Sequence, residues 1–391
     1  MRRVYMDHGA GMPMDTRVFE AMKPYFLENY GNPSSAHSFG ASAKNALNTS
    51  REEVARLIGA EKPEEIIFTS GGTESNNLAI KGVAKRNKDK GNHVITTSIE
   101  HISMMNICKH LQKQGFEITY IPVDNQGMVG PQRLKDALTD RTILISVMYA
   151  NGEIGTIQPI EQIGKIAHEN QIYFHVDAVA AAGKIPLDVE QENIDLLSIS
   201  SNDMYGPKGV GALYIRKGTR IQPVIQGGGQ ERGLRSGTEN IPGIVGMAKA
   251  AEIAREEMEA EGRRLSQLRD KLINGALNTI ERSYLNGHPT KRLPNNANLR
   301  FSYIEGESLI LGLDMLGIQV SSGSACTSKT LEPSHVLLAI GLTHEEAHGS
   351  LVFSMGKQNS EEDVDYVLEV LPDVVKRLRA MSPLTPKEML R

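Results

Sequence analysis

Seven apolar runs ending in small or polar residues limit most sharply what this chain can fold into: Ile66–Phe68, His93–Thr97, Ile118–Val123, Thr142–Val147, Ile172–Val176, Leu196–Ile199 and Gly211–Ile215. Between and before most of them lie stretches with helical spacing, such as Arg17–Tyr25, Ala41–Gly59, Ile102–Gln114 and Ile160–Glu169. Strands that alternate with helices, several of them apolar throughout, predict a mostly parallel sheet covered on both faces. In such a sheet ligands belong at the carboxyl ends of the strands. Thr73, His101, Asn151, Asp177 and Ser200 fall there. Ile66-Ile67-Phe68 runs into Thr69-Ser70-Gly71-Gly72-Thr73 and a helix start. That is the make-up of an anion site, because unpaired N–H groups and the helix dipole both favour a phosphate, although Gly-Gly also serves simply to turn a chain.

A charged helical stretch, 248–278, leads to a second unit with strands at Ala297–Ser302 and Ile318–Ser321 and a closing helix at Glu361–Met381. The expected division is a large cofactor-binding domain at 16–260 and a small domain made of 1–15 and 261–391. Lys plus Arg is 43 against 47 for Asp plus Glu, so nothing favours nucleic acid or an anionic membrane surface. The run Lys85, Arg86, Lys88, Lys90 reads as a solvated helix end. No stretch approaches the roughly 20 apolar residues that span a bilayer. Met1-Arg2-Arg3 is followed by polar Asp7 and His8, with no apolar signal core. Two cysteines, Cys108 and Cys326, make no disulfide framework and suit a reducing cytoplasm.

The cysteines differ. Ile102, Met105, Cys108 and Leu111 recur at helical spacing, which makes Cys108 a small core residue. Cys326 stands in Ser321-Ser322-Gly323-Ser324-Ala325-Cys326-Thr327-Ser328-Lys329, where small polar neighbours suit a reactive thiol better than a core one. Asp177 ends a strand in His175-Val176-Asp177-Ala178, as a turn or cap acid does. His344-Glu345-Glu346-Ala347-His348 spells the H-E-x-x-H string of zinc proteases. Thr343 with Glu346 also forms a capping box, which explains the acid without a metal.

Ser198-Ile199-Ser200-Ser201-Asn202-Asp203-Met204-Tyr205-Gly206-Pro207-Lys208-Gly209, together with Tyr30-Gly31-Asn32-Pro33-Ser34-Ser35, Arg235-Ser236-Gly237-Thr238-Glu239-Asn240 and the Cys326 segment, resembles the cysteine desulfurases over nearly the whole chain. These are fold type I pyridoxal phosphate (PLP) enzymes. The resemblance implies an α/β, PLP-transferase-like fold: a large domain with a mostly parallel sheet and a smaller α+β domain. It implies that Asp177 pairs with the ring nitrogen of PLP, His101 stacks on the ring, Asn151 bonds the ring hydroxyl, and Gly72, Thr73 and Ser200 cradle the phosphate. Thr238 matches a threonine that reaches the neighbouring subunit's phosphate, which implies a homodimer. Cys326 matches the cysteine that takes sulfur from substrate cysteine as a persulfide and delivers it to a scaffold protein. Glu332-Pro333-Ser334-His335-Val336 continues the match to the branch that serves iron–sulfur cluster assembly, and the tail at Ser382-Pro383-Leu384 is where the scaffold would dock.

The departures concentrate on catalysis. Asp203 stands in place of the lysine that bonds the cofactor, Asn202 in place of a histidine and Ala180 in place of a glutamine that contacts the ring hydroxyl. Val352 replaces an arginine that clamps the substrate carboxylate, and His8-Gly9-Ala10-Gly11-Met12 replaces Asn-Ala-Ala-Thr-Thr. A carboxylate forms no imine, and a positioned acid/base of this kind accelerates a reaction by roughly 10²- to 10⁴-fold. Lys208, five residues on, is the candidate to take over, but the resembling family has a lysine there as well, so its presence is not evidence of compensation. The expectation is therefore PLP held non-covalently or absent, with doubtful turnover of cysteine. Cys326 then carries persulfide sulfur to the scaffold or ligates a shared [2Fe-2S] cluster with it. The alternative is a non-catalytic scaffold-binding partner without PLP chemistry, and more remotely a zinc protein using His344 and His348.

Overall fold

The computed structural model describes residues 2–322 and 333–390. Its strands, in chain order, are β1 (Val4–Tyr5), β2 (Ile66–Thr69), β3 (His93–Thr97), β4 (Glu117–Ile121), β5 (Thr142–Met148), β6 (Tyr173–Asp177), β7 (Leu196–Ser200), β8 (Gly211–Ile215), β9 (Ser283–Asn286), β10 (Asn296–Phe301), β11 (Ile318–Gln319) and β12 (Ser350–Ser354). The large sheet has the order β2-β8-β7-β6-β5-β3-β4. Strands β3 to β7 are parallel to their neighbours. Only β8 runs the other way, antiparallel to β7 and to β2. The cause is length: residues 201–210 are too few for the crossover of a dozen or more that a parallel return needs. Because β2 and β7 are both antiparallel to β8, they point the same way. The glycine turn after β2 therefore lies on the same edge as the ends of β6 and β7.

Alternate residues of the strands feed opposite faces of this sheet. Ile145, Phe174, Leu197 and Ile199 join one buried apolar cluster, while Leu144, Leu196 and Leu213 join another under Leu78, Met104 and Leu111. Each such fully buried side chain contributes roughly 1.5–3 kcal/mol. A third cluster unites Val4 and Met6 with Leu272, Leu299, Phe353 and Val367 around the sheet β12-β10-β9 and the pair β1-β11. Val336, Leu337, Ile340 and Ala347 do not join it; they pack into the first cluster.

The helix spanning the clusters starts at Ile241, earlier than its charged stretch suggests, and ends at Thr279. Asn240 caps it by accepting from the Gly243 N–H, and Pro242 supplies a preset backbone in the first turn. Its Ile241–Ala254 half faces the first cluster and its Leu265–Ala276 half the third. The helix expected at Arg17–Tyr25 is two pieces, Thr16–Met22 and Pro24–Leu27, since Pro24 lacks the N–H that would continue it.

Candidate functional site

The carboxyl edge of the large sheet gathers the residues picked out by the sequence. Gly71 caps the helix Gly72–Arg86, so the N–H groups of Gly72 and Thr73 lie in its first turn with no acceptor inside the helix. The turn is tight on both sides. A Cβ on Gly72 would come within 2.5 Å of Val179 Cγ2, and one on Gly211 within 2.7 Å of Gly71 Cα. Asp177, the last residue of β6, is buried, and its carboxylate accepts from Asn76 Nδ2 (2.7 Å) and the Val179 N–H (3.1 Å). His101 caps the helix Ile102–Gln112, with Nδ1 accepting from the Ser103 N–H at 3.2 Å, and its ring is exposed. Asn151 is buried: its Oδ1 accepts from the N–H groups of Glu153 and Ile154, and its Nδ2 donates to Ile99 O (3.0 Å).

Ser200 ends β7 and donates to Asn202 Oδ1 (2.8 Å), while Asn202 Nδ2 donates to Asp203 Oδ2 (2.8 Å). The two substituted residues thus form one chain of bonds with the serine of the phosphate cradle. Burial pushes the Asp203 carboxyl up from its ordinary range, against the pull of Lys184. Lys184 is pushed down by its own burial and drawn back by Asp203; its Nζ donates to the backbone oxygen of Ala180 at 3.1 Å. Lys208 is exposed on the turn before β8. Lys184 was not singled out in the sequence, where Gly183-Lys184 looks like any loop lysine; only the fold turns it toward Asp203.

Thr238 stands apart from this group, exposed on a loop. That loop is fixed to the site by two ion pairs, Arg51 with Glu231 (2.6 Å) and Arg235 with Glu74 (2.9 Å). Val352, in β12, is buried and lines a cleft with His101, Asn151 and Glu153. Cys326 lies outside the described residues. Cys108 is buried in its helix, and burial pushes its thiol up to about 12, which makes it inert. His344 and His348 share a short helix whose first turn is closed by the Thr343–Glu346 capping box. Among the described residues no three His, Cys, Asp or Glu side chains converge as a metal group.

Two further acids line the cleft and carried no signal in the sequence. Glu100 is fully buried; its Oε1 accepts from Thr97 Oγ1 (2.7 Å) and the Met148 N–H (3.0 Å). Burial pushes it up to about 8, with the charge of Asp177 adding to the effect. The native state therefore keeps a proton that the unfolded chain releases near the ordinary glutamate value, and stability falls as pH rises through that interval. Glu100→Gln is expected to match the wild type near pH 5 and to exceed it by on the order of 3 kcal/mol at pH 8, in denaturant melts at both values. An offset that does not grow with pH would show that Glu100 is ionised in the fold.

The edge suits a phosphorylated pyridine at two ends. The first-turn N–H groups at Gly72 and Thr73 fit a phosphate, and buried Asp177 fits a protonated ring nitrogen. At the third end, where an aldehyde would meet an amine, Asp203 offers a carboxylate. A mostly parallel sheet gathering an anion-binding helix start and a buried acid on one edge is the architecture of the fold type I PLP enzymes. The chain belongs to their aminotransferase class-V family, which it matches over residues 4–367. It is 59% identical over 387 residues to the cysteine desulfurase IscS of Methanosarcina thermophila, covering 99% of this chain and 95% of that one. It is 57% identical over 380 residues to the cysteine desulfurase IscS 1 of Archaeoglobus fulgidus, covering 97% and 99%. A solved NifS-like protein superposes with a TM-score of 0.90 at 41% identity, covering 96% of this chain and all of that one.

Proposed function

We propose that this protein serves iron–sulfur cluster assembly through Cys326, which carries persulfide sulfur to a scaffold protein or ligates a [2Fe-2S] cluster jointly with it, while turnover of cysteine is slowed or lost. The observation that carries this reading is the Asp203 turn. Its carboxylate is bonded to Asn202 and faces Lys184, so the end of β7 presents no amine toward the cleft. Gly72, Thr73 and Asp177 would hold PLP without a covalent link, and the cofactor when bound supplies an electron sink. Around it His101 would cover the ring, and Asp177 would keep a proton on the ring nitrogen.

Ser200 and Asn151 favour the second reading, a scaffold-binding partner without PLP chemistry, because the hydroxyl and amide that would meet the cofactor are engaged within the fold. Both readings share the same assembly. Exposed Phe26, Leu27, Tyr30 and Phe39 offer an apolar surface for a second copy, and Thr238 would reach that copy's site. The scaffold would dock at the groove lined by Tyr303, Glu345, His348 and Ser382–Leu384, where Met381 and Leu384 are exposed. The setting is a reducing cytoplasm; no helix of the described residues is long and apolar enough to cross a membrane.

The test is anaerobic assembly of a cluster on the scaffold with wild type or with Cys326→Ser. Loss of most of the cluster's visible absorption from the Cys326→Ser complex is expected. An unchanged cluster counts against ligation, and a Cys326 that gains no sulfane sulfur during assembly counts against carriage.

A further inference from the structure

The cleft in front of His101, ≈ 240 Å³ in volume, has an unbalanced set of hydrogen-bonding groups. Its lining includes the carboxyl side chains of Asp7, Glu100 and Glu153, the histidines His101 and His335, and Val352, with neither lysine nor arginine among the described residues. The donors of Asn151, Ser334, Ser354 and His335 are engaged. Asn151 Nδ2 donates to Ile99 O (3.0 Å) and Met148 Sδ (3.4 Å). Ser334 donates to Glu153 Oε2 (2.8 Å) and Ser354 to Met6 O (3.4 Å). His335 Nε2 donates to the Glu100 carbonyl oxygen at 2.9 Å. Beside these side chains, His101 keeps a donor open: it accepts the Ser103 N–H on Nδ1, which leaves the ring proton on Nε2.

The acceptors are in the opposite state. Glu153 Oε1 is buried and has no hydrogen-bond partner, while the second oxygen of Glu100 holds the proton that burial keeps there. Glu100 turns its other oxygen into the sheet, toward Thr97 and Met148, whereas Glu153 gives one oxygen to Ser334 and leaves Oε1 unpartnered in the cleft wall. Where the desulfurase pattern has an arginine, Val352 presents methyl groups to the same cleft.

From this donor-poor, acceptor-rich lining we infer that the cleft selects a small primary amine without an α-carboxylate, an aminothiol of the cysteamine kind rather than an α-amino acid, with Glu153 receiving the ammonium group. The inference rests on the reading of this cleft as a desulfurase-type substrate pocket. An ammonium group brings three donors and no acceptor, and its bond to a carboxylate is charge-assisted. A ligand carboxylate would instead enter a lining with no lysine or arginine among the described residues to meet it. Burial pushes Glu153 up to about 7 and raises Asp7, the condition of acids with no cation beside them.

The experiment is calorimetric titration of the purified full-length protein with S-methylcysteamine, S-methyl-L-cysteine and S-methylmercaptopropionate. Their blocked sulfurs cannot close a ring on an aldehyde. The expected order is amine first, amino acid at least ~10-fold weaker and acid weakest, the spacing of one charge-assisted bond. Glu153→Gln is expected to weaken the amine by ~10-fold or more, and Val352→Arg to reverse the order in favour of the amino acid. Wild-type ranking needs no variant to fold. If the amino acid binds wild type as tightly as the amine, the charge selection is wrong while the substrate-pocket reading stands. If none of the three binds wild type or Val352→Arg, the pocket reading falls and the inference with it.

Discussion

Asp203→Lys is expected to take up PLP through a bond that borohydride fixes at position 203, where the wild type yields no adduct, and mass spectrometry of digested protein reads the difference directly. Adding Val352→Arg is expected to raise sulfide release from cysteine at least ~100-fold above wild type, the lower end of what a positioned acid/base supplies. The two substitutions repair different losses. Lysine at the end of β7 restores a nucleophilic amine, and arginine in β12 restores a bidentate partner for the substrate carboxylate. Lys208 sits exposed on the turn before β8, and a borohydride-fixed adduct found there in the wild type would show that it takes over the first role. A wild type that already turns over cysteine as fast as the double variant would overturn the reading of Asp203. Full recovery in Asp203→Lys alone would show that Val352 does not limit turnover.

Lys184→Met is expected to destabilise the protein by on the order of 1 kcal/mol, since Lys184 shares a cavity with Asp203 and its charge draws that carboxyl down against burial. Asp203→Asn in the same chain should return most of that loss, giving a coupling of ~1 kcal/mol in a double-mutant cycle. The sign of the pH dependence follows from the same pair. Burial holds the Asp203 carboxyl above its ordinary range, so just above the ordinary carboxylate value the native state binds more protons than the unfolded chain and stability falls as pH rises. Without Lys184 that difference widens, and the deficit of Lys184→Met should grow as pH rises above the ordinary carboxylate range. A deficit independent of pH, with no recovery in the double variant, would reduce Lys184 to a packing residue.

The architecture was legible because β5, β7 and β8 are buried along their whole length and therefore mostly apolar, with only Thr and Ser as polar side chains in β5 and β7. The edge carrying Gly72, Asp177 and Ser200 followed from strand polarity alone. What escaped the sequence is instructive. Strand β9, Ser283–Asn286, mixes polar and apolar residues on a half-exposed edge and shows no alternation. Val352 stands out in the sequence as a departure, but its place in β12, paired with β10, depends on a partner far along the chain. Lys184, Glu100 and Glu153 matter through burial and through which oxygens lack partners, neither of which one-dimensional spacing encodes. Asn202 did show in the sequence as a departure, but its link from Ser200 to Asp203 needed coordinates.

The parallel pairing of Val4 with Ile318 has a consequence for how the chain is made. Strand β1 leaves the ribosome roughly 300 positions before its partner, so at ~5–20 residues per second it waits on the order of 15–60 s for β11 to appear. Until Leu265 emerges, Val4 and Met6 have no other member of the third cluster to pack on, while β2 to β8 can already close their own sheet. The last part of the molecule to consolidate would thus be the one that holds Val352 against the cleft. A translating chain would meet chaperones through its first apolar strand rather than through its large sheet.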